Sequence, residues 1–283
     1  MGDALMAANG ATLRVSAGQF APGEDKSENL AEITRLVEAA AADNVRVLIL
    51  PELAMYRRMD SSIQEAVANA EPLEGPFVTE ILALSAKHSI VIAVGVYEAM
   101  APHAPNQGLV YNTLVIAAEG QLLHAYRKVH LYDAFTARES DMILPGSELP
   151  PVLEIDGFKL GFVICYDIRF PELFRTMTDR GANVIAVATA WARGVGKEEH
   201  WDVLTRARAI ENTSYVIASG EVSAKSVGRS RIIDPLGYVL GDAGEKQHAL
   251  VTAEVEESRV AEVRAILPSL ENRRVGVLHE LDV

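Results

Sequence analysis

Three polar residues each stand directly after an apolar, strand-like run. Glu52 follows Val-Leu-Ile-Leu-Pro, Lys128 follows Leu-Leu-His-Ala-Tyr-Arg, and Cys165 follows Lys-Leu-Gly-Phe-Val-Ile. Ligand sites of α/β sheets gather at the carboxyl ends of strands, so a carboxylate, an ammonium and a thiol in this shared context can meet in one pocket. Together they form a nucleophilic set. A thiol attacks as thiolate, and a nearby ammonium lowers its pKa. A neighbouring carboxylate can take the proton and later activate water. The same ammonium can stabilise the oxyanion formed when the thiolate adds to an amide or nitrile carbon. No histidine is required. Taken singly, each residue also has a structural reading. A lone cysteine in an apolar strand is a small buried hydrophobe, Glu52 a helix cap, and Lys128 a surface charge. The shared strand-end context favours the joint reading.

The elements that must position these groups alternate along the chain. Residues 13–19 alternate in β fashion, and residues 29–42 have helical periodicity. Residues 45–50 and 90–97 are nearly continuous apolar runs, the pattern of strands buried on both faces. Residues 77–88, 171–180, 200–212 and 258–267 read as helices, and Pro171 suits a first helical turn. Glu119-Gly120, Asp156-Gly157 and Pro235-Leu236-Gly237 are turns between paired strands. Residues 184–188 and 215–220 are further strands. With no linker, repeat or low-complexity tract, residues 1–283 read as one domain of α/β class, with mixed sheets covered by helices. The irregular stretch 130–150 is long for a passive connection and is expected to carry function.

Composition narrows the function classes. Lys plus Arg is 26 and Asp plus Glu is 39, a net charge of −13, which disfavours nucleic acid and anionic membranes as partners. No apolar run reaches the ~20 residues of a membrane span, and residues 1–11 read as a short disordered lead without signal-peptide character. The single cysteine cannot form an internal disulfide, so a cytoplasmic location is expected. It also excludes Cys-rich zinc sites, and the 7 histidines show no metal-ligand spacing. Neither a metal nor a cofactor is expected.

The motifs around these residues resemble those of the nitrilase superfamily of carbon–nitrogen hydrolases. The resemblance rests on Leu-Pro-Glu-Leu at 50–53, Tyr-Arg-Lys-Val-His-Leu at 126–131 and Gly-Phe-Val-Ile-Cys-Tyr-Asp-Ile-Arg-Phe-Pro-Glu-Leu at 161–173. His200-Trp201, the Arg-Ala-Arg-Ala-Ile-Glu-Asn run at 206–212 and Asp-Pro-Leu-Gly at 234–237 also fit, and the likeness spans roughly residues 12–275 in order and spacing. It implies a four-layer α-β-β-α sandwich, a Glu52–Lys128–Cys165 triad, and a second glutamate after the lysine, at Glu139, that orients substrate and assists proton transfer. It implies that the backbone N–H of Tyr166 joins the oxyanion hole. It also implies a homo-oligomer, a dimer or a multiple of dimers, with the C-terminal segment 258–283 at the interface.

The remaining matches carry milder expectations. Asp167, Arg169 and Glu172 read as ion-paired scaffold around the cysteine turn, and Arg206, Arg208 and Glu211 as a structural network on one helix. His130 reads as a support of the site rather than a base, and Trp201 as core. Trp191, just past the strand at 184–188, joins Tyr166, Arg193 and Tyr56 as candidates for holding a small-molecule amide substrate. The Pro-Leu-Glu-Gly-Pro-Phe stretch at 72–77, the cysteine run and Glu-Glu-His-Trp look most like the branch that includes omega-amidase and deaminated glutathione amidase. Its substrates are small amides bearing a carboxylate, for which Arg193, Arg57 and Arg58 are candidate cations. Ala190-Trp191-Ala192-Arg193 is bulkier than the matching segment of that branch. A nitrilase or an N-carbamoyl amide hydrolase with the same triad remains an alternative, as does a non-catalytic partner-binding member. Against a nitrilase, Tyr166 stands where a tryptophan often follows the cysteine. Against the scaffold reading, the Glu-Lys-Glu-Cys set is intact.

Overall fold

Apolar strands and amphipathic helices alternate in the order β1 (Thr12–Gln19), α1 (Lys26–Ala42), β2 (Val47–Ile49), α2 (Ile63–Asn69), α3 (Pro76–His88), β3 (Val91–Ala99), β4 (Val110–Ala118), β5 (Gln121–Arg127), β6 (Val152–Ile155), β7 (Phe158–Ile164), α4 (Pro171–Asp179), β8 (Val184–Thr189), α5 (Lys197–Asn212), β9 (Tyr215–Gly220), β10 (Arg231–Ile233), β11 (Val239–Asp242), β12 (Ala249–Glu256) and α6 (Glu257–Ile266). The computed structural model describes residues 10–58, 62–101, 108–135, 137–276 and 281. The expected disordered lead therefore falls, apart from its last two residues, outside the described residues. The strands form two 6-stranded sheets, ordered β12-β1-β2-β3-β4-β5 and β11-β10-β9-β8-β7-β6.

Period-two alternation makes the layers. In β2, Val47 and Ile49 join one core cluster while Leu48 joins a second, and β3 and β4 alternate in the same way. The first cluster joins the two sheets, Val15, Ala17 and Ile49 with Leu160 and Phe162, and extends to Phe174 and Met177 of α4 and Trp201 of α5. The second packs α1 (Ile33, Val37) and α3 (Phe77, Ile81) on the outer face of the first sheet. The result is the four-layer α-β-β-α sandwich, and burial on both faces explains why β2 and β3 read as unbroken apolar runs. Helix α1 is capped by Asp25, whose carboxylate accepts from Ser27 N at 2.7 Å, and α3 and α4 each begin with proline. The turn at Asp156-Gly157 has positive φ at both residues, 49° and 86°, the hairpin geometry that Asp-Gly favours. No helix among the described residues is long and apolar enough to cross a membrane.

Two elements and one helix start differ from the sequence reading. Strand β12 was not anticipated, although Val251 and Val255 alternate and are buried; it pairs antiparallel with β1 along its whole length. Helix α2 was also missed; it is capped by a reciprocal Ser62–Glu65 box. Helix α5 starts at Lys197 rather than at residue 200, because Gly196 in a left-handed conformation opens a polar first turn that carries no apolar periodicity. Helix α6 packs on its own chain through Val260 and Val263, leaving Ile266 and Leu267 exposed.

The parallel core of the first sheet delivers Glu52 to the end of β2, and Gly95 of β3 is what lets that turn approach. A Cβ built at Gly95 lies 2.6 Å from Glu52 Cα and closer still to Leu53 N. Backbone has nowhere to move, so Gly95→Ala should lower unfolding stability by about 1–3 kcal/mol, as overpacking generally does. Urea denaturation checks this, and an unchanged midpoint would show that the strand and the Glu52 turn can separate freely.

Candidate functional site

Glu52 follows β2, Lys128 follows β5 and Cys165 follows β7, so strand ends of both sheets converge. The Lys128 ammonium is only 2% exposed and lies 2.9 Å from Glu52 Oε1 and 2.9 Å from Glu139 Oε2. Asn112 of β4 bridges the two carboxylates, donating to Glu52 Oε1 at 2.7 Å and to Glu139 Oε1 at 3.1 Å. Glu52 Oε2 accepts from the backbone N–H of Ala190, just past β8 in the other sheet, at 2.8 Å. Glu139 Oε2 accepts from Tyr132 N at 2.6 Å. Every carboxylate oxygen therefore has a donor, which is the condition for burying such charges.

The electrostatics follow from burial opposed by neighbours. For Lys128, burial disfavours the charge, but Glu139 and then Glu52 outweigh it and hold the ammonium well above the ordinary lysine value. For Glu52, burial raises the pKa, while Lys128 and, less strongly, Arg57 pull it below the usual carboxylate range. Burial, and next the Glu52 carboxylate, push the Cys165 thiol up to about 12, against the opposing pull of Lys128. In this state the thiol is neutral beside an ionised carboxylate. Transfer of its proton to Glu52 would remove the main charge that disfavours the thiolate and leave Lys128 facing it.

Cys165 adopts φ 43°, a left-handed conformation that non-glycine residues avoid at a cost on the order of 1–3 kcal/mol. Asp167, wholly buried, holds that turn. Its Oδ2 accepts from Ile164 N at 3.1 Å and from Tyr126 Oη at 3.0 Å, and its Oδ1 accepts from His130 N at 3.1 Å and sits 3.0 Å from His130 Nδ1. The cysteine turn is thereby tied to the segment that carries Lys128. His130 stacks on Phe170 with centroids 3.5 Å apart, so it supports the turn. Arg208 of α5 donates to Ile168 O at 2.8 Å and pairs with Glu211.

These groups open into a cleft of about 830 Å³ whose lining includes Glu52, Lys128, Glu139, Cys165, Tyr166 and Trp191. The long segment after β5 supplies Tyr132 and Glu139 to its wall, and Arg193 also lines it. Tyr56 does not reach the cleft: the turn after Glu52 carries it into the core beneath the helices of the first sheet, where it is 4% exposed. Arg58 faces solvent beside Glu65 and Glu24. Arg57 lines the cleft but is paired with buried Glu221 at 2.9 Å, and Arg193 is paired with Glu245 at 3.0 Å. Asn112 and Lys197 went unremarked in the sequence. The signal for Asn112 was an amide inside an otherwise apolar strand. Lys197 was obscured by the glycine-rich stretch before α5.

The family described as carbon–nitrogen hydrolase matches residues 14–265. A deaminated glutathione amidase of Escherichia coli O157:H7 is 40% identical over 92% of this chain and 97% of its own length. A protein of the same name from Synechocystis is 38% identical over 87% of this chain and 93% of its own. Among solved structures, XC1258 of Xanthomonas campestris, a CN-hydrolase superfamily protein, superposes with a TM-score of 0.83 at 27% identity, covering 95% of this chain and 99% of that one.

Because the folded-state pKa of Glu52 is depressed, its ion pair contributes stability above the ordinary value of 4.5 and loses it as pH falls through the lower folded value. Glu52→Gln should therefore be less stable than the wild type at pH 7 by about 1–3 kcal/mol. The difference should shrink on acidification below 4.5. Urea unfolding at pH 7 and pH 3 measures it; a gap that widens in acid would mean that Glu52 is protonated in the resting protein.

Proposed function

This chain belongs to the carbon–nitrogen hydrolase family, and from that premise we propose that it hydrolyses a small amide to acid and ammonia through a thioester on Cys165. The supporting observation is the arrangement of the Cys165 thiol, the Glu52 carboxylate and the Lys128 ammonium at strand ends of both sheets, with every acceptor oxygen of the carboxylates already engaged. Glu52 takes the thiol proton as sulfur attacks the amide carbon. The oxyanion is stabilised by Lys128 and by the Tyr166 backbone N–H. Glu52 then delivers its proton to the departing nitrogen, ammonia leaves, and the thioester remains. Water enters, loses a proton to Glu52 and attacks the thioester; collapse releases the carboxylic acid and returns the proton to sulfur. Glu139 orients Lys128 and, with it, the substrate amide. The step needs an ammonium that stays charged throughout, and two carboxylates secure that for Lys128.

The relatives' name supports an amide that bears a carboxylate, and a cleft of about 830 Å³ accommodates a small one. Tyr166 and Trp191 are the proposed substrate contacts, while Arg193 lines the cleft but is held by Glu245. Acid quenching during turnover should trap the acyl group on Cys165, visible as added mass on the intact protein and on its cysteine peptide. Cys165→Ala should fold, carry no added mass and release no ammonia above background. Continued ammonia release by that variant would refute the mechanism.

We also propose that the chain pairs with a second copy across the face formed by α5 and β11. Val203 and Ile210 of α5, together with Tyr238, Val239 and Leu240 at the open edge of the second sheet, are exposed, a clustering of apolar side chains that isolated monomers rarely leave to water. Helix α5 also braces the cysteine turn through Arg208, so the pair would support both sites. Ile266 and Leu267 of the C-terminal segment are exposed as well. Light scattering at micromolar concentration should give at least twice the 30.6 kDa chain mass; a monodisperse single-chain mass would end this proposal.

A further inference from the structure

Six cations line the cleft among the described residues, and four of them, Lys128, Arg57, Arg193 and Arg138, have a carboxylate within ion-pair distance. Lys128 lies between Glu52 and Glu139. Arg57 is spent on Glu221, and Arg193 on Glu245, with its Nε also donating to the carbonyls of Ser223 and Ser226 at 3.3 and 3.1 Å. Arg138 lies 3.7 Å from Asp141 and projects into solvent. Lys197 differs. It lines the same cleft, is 4% exposed, and has no carboxylate within ion-pair distance among the described residues. Its ammonium donates one hydrogen bond, to Tyr132 Oη at 2.9 Å. Around it stand three aromatic rings, those of Tyr132 at 4.5 Å, Phe135 at 4.7 Å and Trp191 at 4.9 Å from Nζ to centroid.

This is an unusual way to bury a charge. An ammonium has three donors, and removing it from water without a counter-ion is costly. The rings repay part of that through cation–π attraction, and they fix the ammonium in place, but they do not neutralise it. Burial, the largest influence, lowers its pKa, with Cys165 acting in the opposite sense and Arg169 adding to the lowering. Lys197 is also the first residue of α5, at a helix end where the macrodipole favours anions and not cations. A carboxylate placed there would gain from the ammonium and from the helix end together, beside the rings of Tyr132, Phe135 and Trp191.

Resting on the amidase reading above, we infer that Lys197 receives the carboxylate of an anionic amide substrate, and that Arg193 and Arg57 do not. The amide carbon would lie at Cys165 and the distal carboxylate at Lys197, both of which line the same cleft. Tyr132 links the two ends. Its hydroxyl accepts from Lys197 and its backbone N–H donates to Glu139 at 2.6 Å, so the anion-binding end and the carboxylate that positions Lys128 share one residue. Lys197 is thus a specificity residue, and its loss should discriminate between substrates instead of slowing all of them.

The test compares succinamate, which carries a terminal carboxylate, with butanamide, which has the same chain length and none, by ammonia release from the full-length protein. Wild type should favour succinamate in kcat/KM by about 10-fold or more, the range expected for one desolvated charge pair. Lys197→Met should lower kcat/KM for succinamate by about 10–100-fold, chiefly through KM, and change butanamide by less than about 3-fold. Arg193→Met should leave the ratio of the two substrates unchanged. Equal losses on both amides in Lys197→Met, or a ratio that moves with Arg193 and not with Lys197, would overturn the assignment. Should the methionine variant fail to fold, the wild-type ratio decides: butanamide hydrolysis without preference for succinamate rejects Lys197 as an anion receptor while leaving the amidase reading intact. Wild-type protein inert toward both amides rejects the amidase reading itself, and the assignment with it.

Discussion

An ammonium taken out of water costs several kcal/mol unless carboxylates surround it, and the burial of Lys128 is the constraint around which the cleft is built. Two carboxylates face it, and they arrive from different places: Glu52 from the end of a central parallel strand, Glu139 from the long segment after β5. Two carboxylates meeting one ammonium leave an excess negative charge. The remaining acceptor capacity is taken by the Asn112 amide and by the backbone N–H groups of Ala190 and Tyr132. Ala190 directly follows β8 of the second sheet, so the charge cluster itself joins the sheets. Neither sheet alone could satisfy it.

The thiol is placed by a second polar centre of similar design. Asp167 gathers donors from the end of β7, from Tyr126 of β5 and from His130, and in doing so holds Cys165 in a conformation it would not adopt unaided. Because Tyr126 and His130 flank Lys128 in sequence, the distance between thiol and ammonium is set through one buried carboxylate. Position is thus transmitted over very few bonds, and the strain at Cys165 is offset where it arises.

Much of this was legible in the sequence where a physical rule linked pattern to place. Strand-end position brought Glu52, Lys128 and Cys165 together on paper as it does in space. Period-two and 3.6-residue patterning marked most helices and strands to within a few residues. Glu139 depended on family resemblance, since nothing in the periodicity of an irregular segment fixes which of its acids turns inward. Tyr56 shows the converse: nearness to Glu52 in sequence says nothing of direction, and the turn sends it into the core. Asn112 and Lys197 escaped because a polar residue inside an apolar strand, or at the start of a helix, declares its partner only once the tertiary contacts exist. Strand β12 escaped because it pairs with β1 across nearly the whole chain.

The high pKa of the buried thiol has a consequence for the protein's life among oxidants. Thiols that are ionised at rest react with peroxides and disulfides as readily as with their substrates. Cys165, held neutral with a pKa pushed up to about 12, presents almost no thiolate to such solutes. Burial and the neighbouring Glu52 carboxylate together hold that thiolate fraction down. The lone sulfur is thereby held in its less reactive form, and the burial and carboxylate that raise its pKa also disfavour its oxidation and its capture in mixed disulfides.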